Sequence, residues 1–139
     1  MRDRLVYLDT NFFVYIFSKD SEEVKKLVKG MEQYKLFTSC LTYDEFVWTI
    51  KKLLGKESAL MAADFILSIK PLKFLVVTKN TLLISKRAMT TYDLDPRDSI
   101  HYASMLLEEI FQIVSEDRDF KNIPNIQRID CPAFFKQLV

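Results

Sequence analysis

Leu5-Val6-Tyr7-Leu8-Asp9-Thr10-Asn11 is the stretch on which the fold turns. A short apolar run of this kind suits a strand buried on both faces, and it ends on a carboxylate. The residues after it, Phe12 to Phe17, are apolar enough for a helix packed directly against that strand. A buried strand that passes at once into a helix is the opening of a parallel α/β sheet. In such sheets ligands bind outside the carboxyl ends of the strands, where residues distant in sequence converge.

Working outward, the alternation repeats. Asp20 and Glu23 have capping-box spacing for a helix running to about Tyr34, with Val24, Leu27, Val28 and Met31 as its apolar stripe. Leu36 to Cys40 reads as a second strand, with Cys40 as a small core residue. Thr42-Tyr43-Asp44-Glu45 then opens a helix that buries Phe46, Val47, Ile50, Leu53 and Leu54 and stops at Gly55. Lys56 to Ile69 is a further helix, closed by Pro71, and Lys73 to Val77 a third strand. A helix from about Asn80 to Thr91 precedes Asp95-Pro96, a natural N-cap and first helical residue for a helix continuing through His101 and Met105 to Ile110. Phe111 to Ser115 is the fourth strand, Ile126 to Ile129 a short edge strand, and Ala133 to Leu138 a last helical turn. Residues 1–139 therefore read as a single α/β domain, a central parallel sheet covered on both faces.

Composition limits the function classes. A chain of 139 residues with 49% hydrophobic and 28% charged residues is one globular domain in size and balance. No apolar window is long enough for a membrane span, and Met1-Arg2-Asp3-Arg4 leads into a run too short for a signal peptide, so a cytoplasmic protein is expected. Two distant cysteines and a single histidine offer neither a disulfide framework nor a zinc site. A net charge of +1 is no basic footprint for coating nucleic acid, and the lysine clusters at 25–29, 51–56 and 86–87 are compatible with solvated helix faces.

Four acids fall at strand ends or just beyond: Asp9, Glu45, Asp98 and Asp117. Each alone has an ordinary structural use. Asp9 and Asp98 suit helix N-termini, Thr42-x-x-Glu45 is a capping box as written, and Asp117 lies in a polar turn. A parallel sheet would gather all four at one edge, however. Two carboxylates ~4 Å apart repel by about 4 kcal/mol at an effective dielectric near 20, so the cluster needs protons or cations. Oxygen-preferring Mg²⁺ or Mn²⁺ are the natural counter-ions, and such ions can activate water against a phosphodiester. Asn11 stands where an aspartyl-phosphate phosphatase would have a second Asp, Thr78 follows the third strand where a receiver domain would have an acid, and no glycine-rich phosphate loop occurs. His101, three residues beyond Asp98, is read as a partly buried helix residue, and Trp48, Tyr43 and Tyr92 as packing residues.

These residues carry a resemblance to the PIN-domain family, and within it to the toxin ribonucleases of VapBC toxin/antitoxin pairs. Its carriers are Leu8-Asp9-Thr10-Asn11, Thr38 to Phe46, Pro96-Arg97-Asp98-Ser99-Ile100-His101-Tyr102-Ala103 and Val114 to Phe120, four ordered motifs over nearly the whole chain. The resemblance implies a three-layer α/β/α sandwich with a central parallel sheet and Mg²⁺- or Mn²⁺-dependent endoribonuclease activity. It maps the family's acidic quartet onto Asp9, Glu45, Asp98 and Asp117, with Asp9, Asp98, Asp117 and Asp119 as metal ligands or groups close to them. Thr10, Asn11 and Ser115 match small polar positions that orient the acids or their waters. It further implies an RNA substrate, a homodimer and a cognate antitoxin. The alternatives are a PIN fold that binds RNA or protein with little turnover, and a housekeeping RNA-processing nuclease with the same site.

Overall fold

The computed structural model describes residues 4–138. Residues 1–3 of the opening Met-Arg-Asp-Arg segment, and residue 139, lie outside the described residues. The described chain runs β1 (Leu5–Leu8), α1 (Thr10–Phe17), α2 (Ser21–Met31), β2 (Lys35–Ser39), α3 (Cys40–Leu54), α4 (Lys56–Ser68), β3 (Leu72–Leu75), α5 (Lys79–Tyr92), α6 (Pro96–Leu107), β4 (Gln112–Val114), β5 (Gln127–Ile129) and α7 (Cys131–Leu138), with a 3₁₀ turn at Arg118–Asn122. The five strands form one sheet in the order β3-β2-β1-β4-β5, every neighbouring pair parallel. This is the α/β/α sandwich expected of the PIN-like pattern.

Side-chain alternation along β1 divides the core. Val6 and Leu8 face one layer with Leu36, Leu72 and Val114, where Phe12, Phe13 and Ile16 of α1, Leu27 and Met31 of α2, Phe46 and Ile50 of α3, Ile66 of α4 and Phe134 of α7 close over them. Tyr7 faces the other layer with Ile113 and Leu75, covered by Ala88 of α5, Tyr102 and Met105 of α6, and Phe120. Because β1 is covered on both faces and paired on both edges, its sequence has no polar residue until Asp9. The helices run right up to the strand ends, and that brevity places side chains at the carboxyl edge.

Several boundaries differ from the sequence reading. Asp9 caps α1, its Oδ1 accepting from Thr10 N at 2.7 Å, so the helix begins at Thr10 instead of Phe12. α3 starts at Cys40, directly after β2. Cys40 is therefore exposed on a helix and not buried in a strand. The Thr42-x-x-Glu45 capping box does not form: the N-cap is Ser39, Thr42 lies inside the helix, and its buried hydroxyl has no partner among the described residues. Leu53 and Leu54, expected on the buried side of α3, are exposed. The Asp20 cap is present, accepting from Glu23 N at 2.9 Å, but α2 ends at Met31. α6 ends at Leu107, short of Ile110, where Glu109 adopts φ 54 and turns the chain into β4.

Candidate active site

The strand order reverses its direction of growth at β1, with β2 and β3 to one side and β4 and β5 to the other. That switch point is where α/β sheets form their ligand crevice. Tyr7 pairs with Ile113 and Leu8 with Val114, so the next residues of the two strands, Asp9 and Ser115, emerge together. Asp9 N donates to Val114 O at 3.0 Å and Ser115 Oγ donates to Asp9 Oδ2 at 2.6 Å. Asp9 is 5% exposed, and both its oxygens are held, Oδ1 by Thr10 N and Oδ2 by Ser115.

Ser115 also accepts from Asp117 N at 3.0 Å, and Asp117 Oδ1 in turn accepts from Asp119 N at 2.9 Å. The loop after β4 is thus folded back on its own acids. Arg128 of β5 supports it from behind, Nη1 donating to Ser115 O at 2.6 Å. Asn11 touches none of the acids in these bonds. Its Oδ1 accepts from Glu116 N at 3.2 Å and tethers the β4 loop to α1.

Glu45 enters from the second turn of α3. Its Oε1 accepts from Thr10 Oγ1 at 2.9 Å and from His101 Nε2 at 2.6 Å, while Arg97 Nε lies 3.9 Å from Oε2. His101 Nε2 is also 3.5 Å from Asp9 Oδ1. Asp98, in the first turn of α6, meets Asp117 across the crevice. Burial, a hydrogen bond in which the Asp98 carboxyl donates to Asp117, and the charges of Asp117 and Asp9 push the Asp98 pKa up to about 8, against an opposing pull from His101. Burial also works against charge on Glu45, but His101, Thr10 and Arg97 outweigh it and its pKa lies below the ordinary carboxylate value.

The four acids of the quartet therefore share one crevice, from β1, α3, α6 and the β4 loop. Within each of two separate groups the donor atoms lie within 4.8 Å of one another, Asp9 with Glu45 and His101, and Asp95 with Asp98 and Asp119; Asp117 is in neither. Asp95 was expected only as a cap; its side chain makes no capping bond and joins the acidic group instead. The mouth is a cleft of about 430 Å³ lined by Glu45, Asp95, Pro96, Arg97 and Asp98. His101 is 1% exposed and bonded to Glu45, a contact that the reading of His101 as a partly buried helix residue did not include. Its i+3 spacing from Asp98 was the signal, together with Tyr7, whose hydroxyl must find a partner inside a buried strand.

A profile described as PIN domain matches residues 6–126. No curated protein matches the sequence. Among solved structures, VapBC2 from Rickettsia felis, bound to a DNA fragment from its promoter, superimposes with TM-score 0.71 at 18% identity, covering 91% of this chain and 98% of that one. VapC20 from Mycobacterium tuberculosis, a Sarcin-Ricin loop cleaving toxin, gives TM-score 0.67 at 20% identity, covering 84% and 92%. A toxin-antitoxin complex from Klebsiella pneumoniae gives 0.63 at 21% identity, covering 87% and 94%.

Proposed function

The chain belongs to the PIN-domain family, a family of nucleases, and from that premise we propose that it is a metal-dependent endoribonuclease. The observation that carries this reading is the convergence of Asp9, Glu45, Asp98 and Asp117 on the switch point, where burial, and after it Asp117 and Asp9, push Asp98 up to about 8. A carboxyl in that state is short of positive charge. The donor set is oxygen-rich and suits Mg²⁺ or Mn²⁺. Asp9, Asp98 and Asp117 would hold the ion, with Glu45 ligating it or positioning its water and Asp119 beside them, and Thr10, Asn11 and Ser115 hold these residues and their loop in place.

When bound, such an ion polarises a phosphoryl oxygen and lowers the pKa of a bound water. The remaining work falls to the chain. Asp9 is fixed at both oxygens and does not have to reorganise as substrate arrives. Glu45 is kept ionised and lines the cleft, where it can take the proton of an attacking water. Arg97, at the cleft mouth with its side chain 69% exposed, can leave Glu45 for a backbone phosphate.

The resemblance to VapC-type structures supports a toxin of a toxin/antitoxin pair, acting on RNA as a homodimer and silenced by an antitoxin. The Klebsiella pneumoniae structure is a toxin-antitoxin complex, and the Rickettsia felis one is VapBC2 bound to a promoter DNA fragment. No helix among the described residues is long and apolar enough to cross a membrane. The test is cleavage of a pool of structured and single-stranded RNA with Mg²⁺, with Mn²⁺ and with chelator. Wild type should cut only with metal, and Asp9→Asn and Asp98→Asn should not cut. Full activity in Asp9→Asn, or in chelator, would refute the assignment.

A further inference from the structure

Behind the acids lies a chain of polar groups that runs through the apolar layer. Tyr7 OH donates to Ser39 Oγ at 2.9 Å and is 2.6 Å from His101 Nδ1, while His101 Nε2 is 2.6 Å from Glu45 Oε1. Tyr7 is fully buried, Ser39 is fully buried, and His101 is 1% exposed. Polar groups so deep are expensive unless every one is satisfied, and an apolar trio of the same size would pack as well. What the trio accomplishes is at its end.

We infer that His101, held by Tyr7, is the positioning residue that fixes the Glu45 carboxylate and so shapes the metal-binding crevice. With Nδ1 set against Tyr7 OH, Nε2 is the ring atom that meets Glu45 Oε1. That contact, with the Thr10 hydroxyl, occupies Oε1 and leaves Oε2 on the side of Arg97, whose Nε is 3.9 Å away. The imidazole cannot turn over, because a flipped ring would set carbon atoms against both Tyr7 OH and Glu45. The same Nε2 edge lies 3.5 Å from Asp9 Oδ1, so it sets the spacing between the two carboxylates on this side of the crevice. α6 thus delivers Asp98 to the crevice from its first turn and, one turn later, the group that orients Glu45. Partners of this kind tune metal sites through ligands they touch.

The inference rests on the metal-nuclease reading, and the experiment separates the two. Mn²⁺ binding is measured by the paramagnetic resonance of the free ion, on wild type, His101→Gln, Tyr7→Phe and Glu45→Gln, and on the two double variants with Glu45→Gln. His101→Gln should weaken Mn²⁺ binding by about 10- to 100-fold, and Tyr7→Phe by less in the same direction. In the Glu45→Gln background neither should weaken it further, because the residue through which they act has lost its charge. A purely structural role would give equal losses in both backgrounds, and that result overturns the inference. So does wild-type affinity in both single variants. If His101→Gln does not fold, Tyr7→Phe, which removes a single oxygen, decides the matter by the same comparison. Absence of Mn²⁺ binding by folded wild type would overturn the metal reading itself, and this inference with it.

Discussion

Ser115 Oγ donates to Asp9 Oδ2 across 2.6 Å while accepting from Asp117 N at 3.0 Å. One hydroxyl thereby joins the tip of β1 to the acidic loop after β4, at the point where the sheet changes its direction of growth. Geometry alone makes it a joint: the two strands are in register up to Leu8 and Val114, and the next residue of each is the one that bonds.

Ser115→Ala should therefore cost stability and activity together. A hydrogen bond to a charged group contributes about 1.5–3 kcal/mol, and its loss here leaves a nearly buried carboxylate oxygen without its donor. Urea unfolding in chelator should show a loss of about 2 kcal/mol, and metal-dependent cleavage should fall with it. An unchanged unfolding midpoint would show that the joint contributes nothing.

Asp98 gives the metal-free protein an unusual pH dependence. Its pKa rises from an ordinary 3.8 to about 8 on folding, so between those values the folded chain holds a proton that the unfolded chain has released. Stability from this group is full below about pH 4 and is lost as pH rises through about 8. With chelator present, the thermal midpoint should fall from pH 5 to pH 8. Asp98→Asn should flatten that slope and raise the midpoint at pH 8. A slope identical in wild type and variant would remove Asp98 as its source.

Gly30 sits on the inner face of α2, where a Cβ would run into the backbone carbonyl of Leu138 in α7. On an isolated helix, Gly→Ala would stabilise by about 1 kcal/mol. Here the obstacle is backbone, which cannot rotate away, and overpacking of this kind costs about 1–3 kcal/mol. Gly30→Ala should thus lower the unfolding midpoint, and a rise would mean that α7 is free to shift. Gly55 offers the contrast: a Cβ there meets nothing within 4 Å, and its constraint is the φ of +95 that joins α3 to α4.

The sheet was legible in the sequence because its strands are buried on both faces and end sharply. Leu5 to Leu8 admits few other readings, and Asp9, Glu45 and Asp117 come after strands, whereas Asp98, expected near a strand end, lies in the first turn of α6 and follows α5 instead. What escaped was set by tertiary contact. The start of α3 could not be read from Thr42-x-x-Glu45, because the backbone turns helical directly out of β2 and leaves Glu45 facing the crevice instead of its own helix terminus. Cys40 was misread for the same reason, one residue of helix having been counted as strand. His101 and Tyr7 lie 94 positions apart, and no local pattern pairs a strand phenol with a helix imidazole. Asp95 looked like a cap because its sequence neighbours were all that could be weighed.

The strand order has a consequence for how the chain is made. β1 is made before the other strands of the sheet and lies at its centre, yet its partner on one edge, β4, is synthesised only at Gln112–Val114. Until then one edge of the central strand is an open template for any other chain, the form in which nascent sheets are most exposed to mispairing. The same delay keeps Asp9 without Ser115 and Asp117 until the loop after β4 is made. The chain acquires its acidic crevice only when its last third arrives and closes the gap.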